Sequence, residues 1–376
     1  MKVAAERAPM RVRFSYLQEQ FSDLEPYLRD VGALVKSGDF TLGKPLQEFE
    51  ERFAQLCGLP YAIGVASGTD ALILSLKVLG IGPGDEVITT PMTFIATVGA
   101  IVMTGARPVF VDNEDGFVID PAKIEAAVTP RTKAIMPVHY TGNVADMPAI
   151  LALARKHHLV VVEDACQAIG ASLDGRSVGS WGDTACFSLH PLKNVNVWGD
   201  GGMIVTRSEE LAQTLRLYRN HGLVNRDEAV LFGCNSRFDT LQAVIGNRLL
   251  EQAEWITRQR IAHANRYDEA LGELGECVSV PKRRLGVKHV YHLYIIRVQR
   301  RDELLAYLNR QGIEAKVHYP VPVHLQAAAR HLGYRTGDFP VCEHDSRTMI
   351  TLPAHQHLTP DMLDYTIEQI QLFYQR

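Results

Sequence analysis

The sequence predicts an α/β protein: a mostly parallel sheet covered by helices, followed by a smaller α+β domain at the C-terminus. Three observations carry this. Between Tyr61 and Asp164, short apolar runs alternate with helical stretches, the pattern of βαβ units. The runs are apolar throughout instead of alternating with polar residues, as strands covered on both faces require. A long amphipathic helix beginning near Thr240 then leads into a mixture of strands and helices. We therefore expect a large domain over residues 1–245 and a small one over 246–376.

Composition narrows the classes. The chain has 376 residues, 46% apolar and 22% charged, enough for two or three domains and a substantial core. A net charge of −4 proposes neither nucleic acid nor a membrane surface as partner. The first residues lack the apolar run of a signal peptide, and no stretch reaches the roughly 18 apolar residues of a membrane helix. Six scattered cysteines without a CxxC pair, of which Cys166 and Cys186 lie in apolar surroundings as expected of buried thiols, suggest a reducing, cytoplasmic compartment and no structural zinc.

In chain order, residues 14–60 read as a helical lead-in that Gly58 and Pro60 end. Tyr61 to Val65 is a strand, and Ser67-Gly68-Thr69-Asp70 turns it into a helix reaching Leu79. Such a turn points free backbone N–H groups and a helix dipole at an anion, although Ser67 or Thr69 serves equally as a plain helix cap. Strands follow at 86–90, 108–112, 134–138 and 159–164, with helices at 94–103, 121–128 and 148–157 between them. Ligands of such sheets gather at the carboxyl ends of the strands. Ser67, Phe94, Asp164 and Lys193 all fall just past such ends, which is the first sign that they form one site.

Each has an ordinary reading and a chemical one. Asp164 ends an apolar run, where a carboxylate is costly unless paired. It caps a following helix at 165–168, or it pairs with a protonated pyridine nitrogen. Phe94 is core, or it stacks on a planar cofactor. Lys193 lies between the apolar run ending at Ser188 and the turn Gly199-Asp200-Gly201-Gly202. A lysine desolvated there has a lowered pKa and an amine able to attack a carbonyl, as pyridoxal phosphate chemistry requires; most lysines are simply solvated. Beyond the long helix, a strand is expected at 291–296 and helices at 302–310 and 360–373. The stretch Lys316 to His324 holds His318, Tyr319 and His324 around two prolines, with no spacing suited to a metal. It reads as a substrate-facing loop or as a structural one.

Taken together, Ala66-Ser67-Gly68-Thr69-Asp70-Ala71-Leu72, Gly82-Pro83-Gly84-Asp85-Glu86-Val87, Thr93-Phe94, Glu163-Asp164-Ala165-Cys166-Gln167-Ala168, Phe187-Ser188 with Lys193-Asn194, the Gly199 turn, Asn235-Ser236-Arg237 and His318-Tyr319-Pro320 with His324 resemble the DegT/StrS-type sugar aminotransferases. These are fold-type I pyridoxal phosphate enzymes, and the resemblance runs over nearly the whole chain. It implies a seven-stranded-type sheet, Lys193 as the Schiff-base lysine and Asp164 as the partner of the pyridine nitrogen. It implies Gln167 at the cofactor hydroxyl, Phe94 on the ring, and Gly68, Thr69 and Ser188 at the phosphate. Asn235 would reach the phosphate of the neighbouring subunit's cofactor, which makes the protein a homodimer with shared sites. The implied reaction moves an amino group from glutamate or glutamine to a keto-sugar, with Lys193 as general base and then acid. A nucleotide-linked 3-keto- or 4-keto-sugar is expected, the Gly-Asp-Gly-Gly turn leaning toward the 3-keto class. A keto-sugar phosphate or a cyclitol ketone is the alternative acceptor. A sugar dehydratase on the same cofactor would carry histidine in place of Lys193, and a non-enzymatic regulator would be expected to lose Lys193 or Asp164.

Overall fold

A computed structural model describes residues 10–375. Its centre is a seven-stranded sheet: β1 (Tyr61–Val65), β2 (Glu86–Thr89), β3 (Arg107–Phe110), β4 (Thr132–Ile135), β5 (Val160–Asp164), β6 (Thr184–Ser188) and β7 (Gly202–Thr206). The strand order is β1-β7-β6-β5-β4-β2-β3, and β7 alone runs against its neighbours. Side chains alternate between the two faces of a strand. Val161, Ala185, Phe187, Met203 and Val205 enter one core, with Phe49, Phe53 and Phe238. Val162, Cys186 and Ile204 enter a second, with Leu72, Leu76 and Ile101. Burial on both faces is why these strands read as unbroken apolar runs.

The buried charge at the centre of this sheet is Glu163, which is fully inaccessible. Its carboxylate accepts backbone N–H bonds from Gly179 (2.9 Å), Trp181 (2.8 Å) and Gly182 (2.8 Å) and faces His139 Nε2 at 3.0 Å. The donors outweigh the cost of burial and hold the carboxyl below its ordinary pKa. Glu163 thereby ties β5 to the loop before β6, fixing the two strands that carry Asp164 and Ser188.

The C-terminal part has an antiparallel sheet of β8 (Val278–Ser279), β9 (Tyr294–Val298) and β10 (Met349–Leu352). Helices Arg301–Arg310 and Pro360–Gln375 pack with it. The helix Thr240–Gly272 contributes Tyr267 and Leu271 to this core and Ala243, Ile245 and Leu249 to the core under the large sheet. Val12 also belongs to the C-terminal core, through a bridge to Ile313, so the chain's first described residues lie against its last third.

Three expectations are revised. The strand expected at 291–296 begins at Tyr294, because the amides of Val290 and Leu293 are taken by the carbonyls of Gly142 and Thr141. The helix expected over 121–128 is Pro121–Ile124 followed by a 3-10 turn at Glu125–Ala127. No helix follows Asp164; its Oδ1 accepts the Cys166 amide at 3.2 Å in a turn.

Candidate active site

At the carboxyl end of the large sheet lies a cavity of about 370 Å³ lined by Gly68, Thr69, Phe94, Asp164, Gln167, Ser188, Lys193, His318 and Tyr319 among others. The sheet brings them together. Asp164 on β5 pairs with Cys186 on β6, two residues before Ser188. Ser67 caps the helix Gly68–Val78 by accepting the Asp70 amide at 3.0 Å, which leaves the helix N-terminus facing the cavity. Gly68 is required for the close approach: a Cβ there would lie 2.7 Å from Ser188 Cβ and 3.2 Å from Cys166 Sγ.

Asp164 is buried, and its Oδ2 accepts the Thr97 hydroxyl at 2.6 Å. Thr97 is in turn 2.6 Å from the Thr93 hydroxyl, which must donate because the Thr97 proton is committed to the carboxylate. Lys193 makes no salt bridge among the described residues. Its removal from water lowers its pKa, and the Cys166 thiol and the Asp164 charge oppose that shift. The Lys193 carbonyl accepts the Tyr16 hydroxyl at 2.8 Å, which fixes the turn bearing the amine. Gln167 uses Oε1 to accept the Thr141 amide at 2.8 Å, leaving its NH₂ free to donate. Phe94 stays half exposed with its ring 5.7 Å from that of Tyr319. His318 is pushed down to about 4 by burial, with Lys316 and Lys193 adding to the shift, and is neutral at pH 7. Burial also raises the Tyr319 hydroxyl to about 12.

Of the expected site residues, His324 lies elsewhere, and Asn235, expected at the neighbouring subunit's cofactor, lies outside this chain's cavity. Asn235 is exposed and does not line this chain's cavity; it sits in an irregular stretch bridged to Asn220. His324 is buried with Nε2 3.2 Å from Glu343 Oε1 and its ring edge-on to Phe339, outside the cavity wall. Of the stretch from His318 to His324, the cavity wall takes His318 and Tyr319.

Several lining residues had no signal in the sequence: Phe14 and Tyr16 from the N-terminal segment, Thr97, Arg260 and His292. Thr97 follows Thr93 by one helical turn, a spacing that hints at a shared face but not at Asp164. The others come from segments far apart in the chain.

The donor set suits pyridoxal phosphate. A helix N-terminus and a serine meet at a place where even a Cβ does not fit, a carboxylate is buried without a basic partner, and a desolvated amine lies near it. The groups match the phosphate, ring nitrogen and aldehyde of that cofactor.

Comparison with known proteins agrees. The family model for the DegT/DnrJ/EryC1/StrS aminotransferases matches residues 23–371. A protein of Geobacillus stearothermophilus named as a pleiotropic regulatory protein is 44% identical over 97% of this chain and 99% of its own length. A UDP-N-acetyl-3-dehydro-α-D-glucosamine 3-aminotransferase of Acidithiobacillus ferrooxidans is 41% identical over 94% of both chains. The crystal structure of S. venezuelae DesV, in complex with a ketimine intermediate, superposes with a TM-score of 0.95 at 40% identity, covering 97% of this chain and 99% of that one. The chain belongs to the DegT/DnrJ/EryC1/StrS aminotransferase family, and its cofactor is pyridoxal phosphate.

Proposed function

We infer that the protein transfers an amino group from glutamate or glutamine to a nucleotide-linked keto-sugar. The observation that carries this is the meeting of Lys193, Asp164, Gln167, Phe94, Ser188 and Gly68 in one cavity. When bound, pyridoxal phosphate supplies an aldehyde for the amino group and a ring that stores the electron pair released at the substrate carbon. Gly68, Thr69 and Ser188 would hold its phosphate through helix amides and hydroxyls. Asp164, which accepts the Thr97 hydroxyl and the Cys166 amide, would face the ring nitrogen, Gln167 would donate to the ring hydroxyl, and Phe94 would cover one face. Lys193 Nζ would hold the cofactor at rest. Once free, the amine takes a proton from the donor's α-carbon and later returns one to the acceptor carbon, a task its lowered pKa favours.

Neutral His318 and Tyr319 line the acceptor side, where uncharged donors and acceptors suit sugar hydroxyls. A 3-keto acceptor is supported by the Gly199-Asp200-Gly201-Gly202 turn and by the 3-aminotransferase activity named for the A. ferrooxidans relative. The exposed Asn235 fits a role at a second subunit's phosphate, making the enzyme a symmetric homodimer with shared sites. A cytoplasmic location agrees with six unpaired cysteines. A division into domains 1–245 and 246–376 is supported by one core drawn mostly from the first part and one mostly from the second, with the helix from Thr240 spanning both and Val12, Ile256 and Val290 crossing the boundary. The presence of Lys193 disfavours the dehydratase reading.

The test is chemical. The purified protein should be yellow, and borohydride should fix the cofactor on the peptide carrying Lys193. Labelling of a different lysine overturns the assignment. Lys193→Ala should abolish turnover while retaining some cofactor.

A further inference from the structure

One buried cation in the cavity has no partner of opposite charge. Arg260, on the helix Thr240–Gly272, is 2% exposed and lines the cavity that holds Lys193. No aspartate or glutamate among the described residues forms a salt bridge with it. Its hydrogen bonds go to neutral acceptors: Nε to Gln356 Oε1 at 3.0 Å, and Nη1 to the carbonyls of Tyr291 at 3.0 Å and His292 at 3.4 Å. Nη2 has no hydrogen-bond partner. The Tyr16 ring lies 5.1 Å from the guanidinium carbon, and the same tyrosine's hydroxyl bonds the Lys193 carbonyl, so one residue links the cation to the amine-bearing turn.

The surroundings supply no countercharge. His263, His292 and His355 are all held toward the neutral form, by burial first and with the Arg260 charge contributing, and burial keeps Tyr16 protonated. A buried charge left unpaired is costly, and a substrate anion would complete the pair.

We propose that Arg260 is the subsite for a carboxylate of the amino donor, with Nη2 as the uncommitted hydrogen-bond donor. This rests on the aminotransferase reading and adds the residue that selects an acidic donor. A carboxylate fits better than the diphosphate of a nucleotide-sugar. Only one guanidinium nitrogen is uncommitted, and the group is almost wholly enclosed, whereas a diphosphate carries more charge and bulk than one enclosed donor can satisfy.

The experiment titrates the wild-type, Arg260→Gln and Arg260→Lys holoenzymes by calorimetry with glutarate, a dicarboxylate that has no amine to react. Uridine and thymidine diphosphates are titrated in parallel. Wild type should bind glutarate, Arg260→Gln at least tenfold more weakly, and Arg260→Lys in between, with nucleotide affinities within twofold throughout. In the half-reaction, the kcat/KM preference for L-glutamate over L-norvaline should fall at least tenfold in Arg260→Gln, a ratio that a merely structural role would leave unchanged. If thermal melts show Arg260→Gln to be unfolded, Arg260→Lys decides: a threefold or greater loss of glutarate affinity supports the subsite. Wild type that does not bind glutarate, a variant that binds it normally, or an equal loss of nucleotide affinity overturns it. Wild type that binds glutarate through Arg260 but gives no half-reaction would instead refute the transaminase reading and leave the anion subsite standing.

Discussion

Replacing Thr97 with valine removes one hydroxyl and almost no volume. That hydroxyl donates to Asp164 Oδ2 at 2.6 Å, and the carboxylate keeps only the Cys166 amide at 3.2 Å. Hydrogen bonds to charged groups contribute about 1.5–3 kcal/mol. Because one donor remains, we take the lower part of that range, about 1.5–2 kcal/mol, which corresponds to a roughly 10- to 30-fold slower half-reaction if the carboxylate must stay anionic at the transition state. Thr93 also loses its acceptor, and as a buried hydroxyl without a partner it should cost about 1–3 kcal/mol of stability. Stopped-flow absorbance of the holoenzyme mixed with glutamate reads the first effect, and thermal melting reads the second. Thr97→Ser, which keeps the hydroxyl, should recover most of the rate. A Thr97→Val half-reaction within twofold of wild type would refute the reasoning, as would a Thr97→Ser enzyme as slow as Thr97→Val.

Asp164→Asn should slow the glutamate half-reaction by orders of magnitude if, as proposed, its charge serves the ring nitrogen; a near-normal rate would reduce Asp164 to a turn residue. Mixing inactive Lys193→Ala with inactive Asn235→Asp should restore some activity, because heterodimers collect both lesions at one site and leave the other intact. Subunit exchange verified by mass without returning activity, or normal turnover by a monomer, would end the shared-site proposal. Stability should be nearly flat above about pH 6.5 and fall as the pH drops toward 4. His318 and His355 are depressed to about 4 and about 3, so the unfolded chain takes up protons that the folded one refuses. Each such histidine contributes a slope of at most about 1.4 kcal/mol per pH unit over that window. A melting temperature constant between pH 7 and pH 4.5 would contradict this.

The alternation of strands and helices was legible because doubly covered strands must be apolar throughout, and the cores on the two faces of β5, β6 and β7 are that requirement made visible. The residues just past strand ends were legible for a related reason. A parallel sheet has one end at which its loops converge, so Asp164, Phe94 and Lys193 could be assigned to one place without knowing the strand order. The start of β9 was not legible, since Tyr291 and Leu293 look like strand residues until the carbonyls of Gly142 and Thr141 claim the amides of Val290 and Leu293. His324 misleads in the same way: its sequence neighbours suggest a substrate loop, and only its pairing with Glu343 reveals a buried support.

The sequence by itself determined the sheet, the residues that meet at its carboxyl end and the family, because these depend on local periodicity and on motifs whose members keep fixed spacing. Tertiary structure alone decided what surrounds them. Thr97 reaches Asp164 from a helix 67 positions earlier, Tyr16 reaches the Lys193 carbonyl across 177, and Arg260 meets the backbone of Tyr291 and His292 from a different element. None of these partners shares a period or a motif. They meet because burial leaves a charge or a carbonyl in need of a partner, and the folded chain supplies whichever polar group packing has brought within 3 Å or so, a condition that linear sequence does not encode.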